Sequence, residues 1–201
     1  MDRALILRVA PSGESFLKID ILSPKIGSFL CLKRISKKNT SKDAKPDLFD
    51  TADLLLETSK QGTARFVREY RLVTRRIEIG ASYNTLRHAS EFAALLARNA
   101  PQMAEPTDLF DLAERSFDAF AEKKAPEVVH LKTMYLLLKN EGYPVRESWW
   151  PQLPNHLKEA AKEAINSPAP NKTTKELCRI NESILQDLHH WMERETDLTL
   201  G

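Results

Sequence analysis

Basic side chains form the most chemically suggestive pattern in this 201-residue chain. Residues 33–45 hold a dense run of cations that is interrupted by a single acid, Asp43. The cations are Lys33, Arg34, Lys37, Lys38, Lys42 and Lys45. Clustered positive charge concentrates polyanions and supplies affinity for phosphate that does not depend on base sequence. The competing interpretation is a solvated loop that is charged for solubility alone.

A second basic group lies in residues 65–76, where two aromatic residues, Phe66 and Tyr70, stand among arginines. The arginines are Arg65, Arg68, Arg71, Arg75 and Arg76. Planar guanidinium groups beside aromatic rings suit phosphates and unstacked bases. Ordinary core packing of the two aromatic rings is the alternative. The two basic groups together predict a nucleic-acid-binding surface, with backbone contacts dominating base readout.

Signatures of catalysis are missing from the sequence. There is no glycine-rich phosphate loop, no G-x-S-x-G motif and no H-E-x-x-H motif. Acidic pairs such as Asp108 and Asp111 have the spacing of a solvated helix face. The histidines lack a carboxylate or cysteine partner at ligand spacing, so each is expected at the surface or at a helix cap. They are His88, His130, His156, His189 and His190. We therefore expect a non-catalytic protein without a metal ion or cofactor.

The net charge of +2 conceals an asymmetry between the two parts of the chain. Residues 1–80 contain 16 Lys and Arg against 10 Asp and Glu, whereas residues 81–201 contain 14 against 18. The first part also reads as five short strands, in residues 4–10, 15–22, 28–35, 51–57 and 64–79. The last of these runs is long enough to need a bend or to be two pieces. Five strands without an intervening helix suggest a small closed barrel, which leaves no exposed sheet edge.

After residue 80 the apolar period changes from two to about 3.6 residues, which indicates helices. The first predicted helix spans residues 82–99, and the fourth spans 156–165. The second is expected to start at Thr107 or Asp108, the third at Pro126, and the last at Thr173 or Thr174. The first of them is expected to bury a stripe that begins at Leu86. The fold class is thus α+β: a five-stranded oligonucleotide-binding (OB-fold) barrel in residues 1–80, followed by an all-helical domain in 81–201.

The cysteines and the apolar runs bear on the cellular compartment. Cys31 and Cys178 are far apart in apolar surroundings, which predicts buried, reduced thiols. No run approaches the roughly 18 apolar residues of a membrane span. The N-terminus contains charge, Pro and Gly too early for a signal-peptide core. We expect a cytoplasmic protein without membrane contact.

The order of these segments resembles the RecO family of bacterial recombination-mediator proteins. The similarity covers residues 4–145 and rests on ALILRVAPSGES, IDILSPKIGSFLCLKRISKK, PDLFDTADLLLET, REYRLVTRR and ASYNTLRHASEFAALLARN, then DLFDLAERSFDAF and VVHLKTMYLLLKNEGYPV. The resemblance implies an OB-fold barrel with a helical domain, binding of single- and double-stranded DNA, strand annealing, and help in loading recombinase onto gaps. It also implies a nucleoid-associated location in the bacterial cytoplasm.

The resemblance further implies protein partners, namely RecR and the C-terminal tail of the single-stranded DNA-binding protein. Arg87, Lys132 and Lys139 are the candidates for binding that acidic, aromatic tail. Many family members carry a four-cysteine zinc site after the position of Gly142, but this stretch has no cysteine, so no such site is expected here. Trp149 and its neighbours are expected to pack in its place.

Two other functions remain open from the residues alone. A helical protein adaptor would bind proteins rather than DNA and would be insensitive to salt. An RNA-binding OB-fold protein is the second alternative, because this fold accepts both polymers.

Overall fold

The computed structural model describes residues 1–35, 44–62, 64–103 and 105–200. Its N-terminal part is a closed five-stranded barrel with the strand order β1-β2-β3-β5-β4. The strands are β1 (Asp2–Ser12), β2 (Phe16–Ser23), β3 (Gly27–Arg34), β4 (Thr51–Thr58) and β5 (Arg65–Thr74). The predicted barrel is confirmed, and the following helices make the chain an OB-fold barrel with a helical part.

Sequence-local turns set the first half of the barrel. β1, β2 and β3 form an antiparallel meander. Gly13 and Gly27 lie in its two turns with φ values of 64° and 79°, a left-handed conformation that favours glycine. β1 continues to Ser12, and the turn to β2 follows it.

Long-range pairing closes the second half. β4 pairs antiparallel with both β1 and β5, and β5 runs parallel to β3 at the Leu32–Phe66 register. β5 ends at Thr74, and a short 3-10 helix follows over Ile77–Ala81. The long run in residues 64–79 is therefore two pieces, as expected from its length.

Alternating residues of all five strands fill the barrel with apolar side chains. The buried set comprises Ala4, Ile6, Ile19, Ile21, Cys31, Ala52, Leu54, Val67 and Tyr70. Because successive strand residues point to opposite faces, the neighbours of these residues face outward. This alternation decides which basic side chains can meet a ligand.

Helices make up most of the remaining chain. They are α1 (Tyr83–Asn99), α2 (Pro106–Ala121), α3 (Pro126–Asn140), the single turn α4 (Trp150–Gln152), α5 (Asn155–Asn166) and α6 (Lys175–Glu195). A π-helical turn over Val145–Trp149 precedes α4. Within the described residues, none of these helices has both the length and the apolar character needed to cross a bilayer.

Helix starts were predicted to within two residues. Pro126 begins α3, and the side chain of Thr174 caps α6 by accepting a hydrogen bond from the Leu177 amide at 3.1 Å. α2 begins at Pro106, one residue before the expected caps. The prediction of a buried stripe on α1 is wrong at its first residue, because Leu86 is 39% exposed and the adjacent Thr85 is buried instead.

Contacts along the chain divide it into two compact units. The first contains residues 1–76 and 93–114, and the second contains 77–92 and 115–201. α1 and α2 therefore each contribute to both units. The domain division after residue 80 stays a prediction, although strands give way to helices close to that position.

Candidate nucleic-acid interface

The outer surface of the β2–β3 hairpin carries a mixture of cations and apolar side chains. Ile19 and Cys31 lie in the barrel core, so Lys18 and Leu32, which are opposite each other in the register, face outward. Phe16 and Arg34 form the next outward pair on the same two strands. The register therefore places an aromatic ring, an aliphatic side chain and two cations on one surface.

β5 adds a second aromatic ring to this surface. Phe66 aligns with Leu32 across the parallel β3–β5 pairing. The rings of Phe16 and Phe66 are 6.1 Å apart between centroids and are inclined at 57°. Both residues are partly exposed. We call the outward side chains of Phe16, Lys18, Leu32, Arg34 and Phe66 the basic face.

Three further cations lie on β3, on β5 and in the turn that precedes β5. The Arg65 guanidinium lies 4.2 Å from the centroid of the Phe29 ring, and Lys33 Nζ lies 5.8 Å from that of Tyr70. Both cations sit near strand ends and are partly exposed. The third is Lys60, which is exposed in the turn between β4 and β5. Cation–π contacts hold Arg65 and Lys33 beside aromatic rings, and these contacts do not neutralise the positive charges.

Charge balance favours anion binding at the basic face. Among the residues that the structure describes, no ion pair joins Lys18, Lys33, Arg34 or Arg65 to an acid. The one acid on the outer surface of β2, Asp20, lies 3.3 Å from the Arg8 guanidinium, which offsets its charge. In the OB fold, this hairpin surface and the adjoining β1–β2 and β4–β5 turns form the usual ligand site.

Two of the predicted arginines, Arg68 and Arg71, face acids of the adjacent strand β4. Arg68 forms an ion pair with Glu57 of β4. Arg71 is exposed and stands opposite Asp53, which accepts a 2.7 Å hydrogen bond from Arg3. This surface alternates positive and negative charge, so Arg68 and Arg71 do not extend the basic face.

Arg75 is part of an internal network. It donates two hydrogen bonds to the buried Asp50 carboxylate, at 2.9 and 2.6 Å, and one to the Lys45 carbonyl at 2.6 Å. The Tyr70 hydroxyl donates to the same carboxylate at 2.7 Å. Burial and then the hydrogen bond to Asp50 raise the pKa of Tyr70. Tyr70 is therefore a core residue, as the alternative interpretation held, and is not an exposed platform for a base.

Arg76 is also committed to the fold. It is 4% exposed and donates to the Phe49 carbonyl at 2.7 Å and to Thr51 Oγ1 at 2.9 Å. Glu114 lies 3.7 Å away and completes the cluster. Arg75 and Arg76 thus attach the segment before β4 to the end of β5, and we leave both out of the interface. Lys37, Lys38 and Lys42 lie outside the described residues.

The three predicted partner-binding residues have different surroundings. Arg87 pairs with Glu91 and Glu182, at 3.3 and 2.5 Å. Lys132 donates to the Ser167 carbonyl at 2.9 Å. Only Lys139 is exposed and lines an open cavity.

That cavity lies within the second compact unit and has a volume of about 810 Å³. Two further cations, Arg146 and Lys162, line it beside Lys139. Its aromatic lining residues are Tyr135, Tyr143 and Trp150. Trp149 is fully buried next to it and donates to Asp187 at 2.8 Å. A cavity with three cations and three aromatic rings suits an acidic peptide that carries an aromatic or apolar side chain.

Two other expectations are settled by burial. The histidines were placed at surfaces or caps, which is wrong for His88 and His130, because they are 0% and 1% exposed and face each other. Both cysteines are free thiols, but only Cys31 is buried; Cys178 is partly exposed. Burial raises the pKa of the Cys31 thiol to about 12.

Sequence reasoning found Arg34 and Phe66 but missed Phe16, Lys18 and Lys60. The strand register contained the missing signal, since pairing the β2–β3 hairpin about the turn at Lys25 sets Lys18 opposite Leu32 and Phe16 opposite Arg34. Comparisons with protein-family models and with curated proteins return no match for this chain.

Proposed function

We propose that this chain is a non-catalytic DNA-binding protein of recombinational repair, which binds single- and double-stranded DNA, promotes strand annealing and helps to load recombinase onto gaps. The observation that carries the proposal is the basic face of the OB-fold barrel. There, Phe16 and Phe66 form an aromatic pair. Lys18 and Arg34 lie on the same surface, and neither forms an ion pair with an acid among the residues that the structure describes. The order of segments that resembles the RecO family also supports it.

The arrangement fits single strands for a physical reason. Unpaired bases stack on aromatic rings, and each stacked base contributes about 1–3 kcal/mol to binding. Nearby cations neutralise the backbone and release counterions. Neither contact reads base identity, so we expect weak sequence preference.

Annealing follows from the same chemistry. Two complementary strands repel each other through their phosphates, and cations on the barrel offset that repulsion while the base edges stay free to pair. Double-stranded DNA can bind through the same cations, since phosphate contacts do not require unstacked bases.

The helical part would serve protein partners. The cavity with Lys139, Arg146 and Lys162 suits the acidic and aromatic C-terminal tail of the single-stranded DNA-binding protein. RecR is the second partner that the resemblance suggests, and the proposed location is the nucleoid in the bacterial cytoplasm.

An annealing assay tests the proposal. Complementary labelled strands, coated with their single-stranded DNA-binding protein, are mixed with and without the purified chain. Faster annealing that declines with added salt is expected. No acceleration, together with no binding to bare strands at low salt, would overturn the proposal and favour the helical adaptor. Competition with an RNA oligomer of matched sequence tests the RNA-binding alternative, which tighter binding to RNA would favour.

A further inference from the structure

A cluster of potential metal ligands lies inside the second compact unit. His88 and Glu91 are three residues apart on α1, so their side chains share one face of the helix. His130 approaches them from α3. One ligand atom from each residue lies within 4.8 Å of the other two.

The distances are close to those of a vacant tetrahedral site. His88 Nδ1 and His130 Nδ1 are 3.0 Å apart, and His130 Nδ1 is 3.7 Å from Glu91 Oε2. Ligands at about 2.0–2.1 Å from a tetrahedral ion are separated by about 3.3–3.4 Å. The two observed separations lie on either side of that value.

The surroundings of the cluster also suit a cation. Glu182 Oε1 lies 3.1 Å from His88 Nε2, the ring nitrogen that faces away from His130. A carboxylate in this position orients a metal-binding histidine and fixes its tautomer. Glu91 and Glu182 together carry two negative charges, and Arg87, which contacts both, carries one positive charge. With neutral imidazoles, the cluster has a net charge of −1.

The protonation state of the histidines is compatible with ligation. Burial first, and then the positive charge of Arg87, lowers the pKa of His88. Burial, followed by the neighbouring histidines, lowers the pKa of His130 well below its usual value. Both shifts favour the neutral imidazole, which is the form that binds metals.

We propose that His88, Glu91 and His130 form a binding site for a divalent transition metal ion of the zinc class. Two imidazoles and one carboxylate are ligands that Zn²⁺ accepts in a tetrahedral site with one position left open. The ring of His189 of α6 lies 5.8 Å from the His130 ring. The site contains no cysteine and is separate in sequence from the stretch where the RecO family has its zinc module.

Metal titration of the full chain tests this proposal without reference to DNA. The purified protein is stripped with a chelator and titrated with Zn²⁺ by calorimetry, and then with Co²⁺, whose visible absorption reports tetrahedral coordination. We expect one ion per chain and a higher melting temperature with Zn²⁺, since an ion that binds only the folded state stabilises it. No uptake of either ion would overturn the proposal.

Three variants identify the ligands. E91Q changes a partly exposed side chain, and we expect it to weaken Zn²⁺ binding by at least about tenfold, with loss of the tetrahedral Co²⁺ spectrum. H130Q is expected to abolish the spectrum. H156Q removes an exposed histidine of α5 and serves as the matched control, with unchanged binding. If H130Q does not fold, E91Q decides: wild-type affinity and an unchanged Co²⁺ spectrum in that variant would refute the site.

Discussion

Reversing two charges of the basic face should weaken DNA binding, whereas reversing two arginines that face acids of β4 should not. The test variant is K18E/R34E, since both side chains face outward from the β2–β3 hairpin. The control is R68E/R71E, which changes the net charge by the same amount on the β4–β5 side. The comparison separates a localised interface from a general effect of net charge.

The salt dependence gives the expected magnitude. Each neutralised phosphate of a single strand contributes about −0.7 to the slope of log affinity against log salt. The five described cations of this region would give a slope of about −3.5, or about a 130-fold loss of affinity for a fourfold rise in salt. They are Lys18, Lys33, Arg34, Lys60 and Arg65. Without two of them the slope should fall to about −2.1, and the loss to about 20-fold.

Fluorescence anisotropy of a labelled single strand, measured across a salt series, supplies both slopes. Any contribution from residues 36–43 is common to all three proteins and cancels in the comparison. Circular dichroism spectra confirm that each variant folds. Equal slopes for the wild type and K18E/R34E, or an equal decrease in both variants, would refute the reasoning.

Four further outcomes are expected. D50N should lower the free energy of unfolding in urea by about 3 kcal/mol, because it leaves the Arg75 charge without its buried partner; a loss below about 1 kcal/mol would contradict this. In the unfolded chain Tyr70 ionises near pH 10.0, while the fold raises its pKa; the contribution of Tyr70 to stability should therefore be retained below pH 10 and decline by up to about 1.4 kcal/mol per unit above it, and the decline should be smaller in Y70F. A thiol reagent should label Cys178 in the native protein and Cys31 only after unfolding, and equal labelling of both by mass spectrometry would contradict the burial of Cys31. K139E should weaken binding of an acidic, aromatic peptide by about tenfold or more while leaving DNA affinity unchanged, and unchanged peptide affinity would exclude the cavity as its site.

Local patterns made the barrel and the helix positions predictable. Alternation in the strands, two turn glycines and the prolines at helix starts are all read within a few residues. The pairing of β3 with β5 depends on contacts far apart in sequence, and it brings Phe66 beside Phe16. The contact between Phe66 and Phe16 therefore could not be predicted from a local sequence pattern.

Buried charge was the second limit of sequence reasoning. In the sequence, Arg75 and Arg76 resemble Arg34, because all three lie among other cations. In the structure, Arg75 pairs with Asp50 and Arg76 pairs with Glu114 inside the fold. The histidine cluster was missed for the same reason, because His130 comes from a helix 42 residues after His88. In each case the partner that determines the role of the side chain is distant in sequence.

Photocrosslinking tests the central claim most directly. A single-stranded oligonucleotide with photoreactive bases is irradiated with the full chain, and the crosslinked peptides are identified by mass spectrometry. We predict crosslinks to peptides that contain Phe16 and Phe66, and their loss at high salt. Crosslinks confined to the helices would contradict the assignment of the basic face as the nucleic-acid interface.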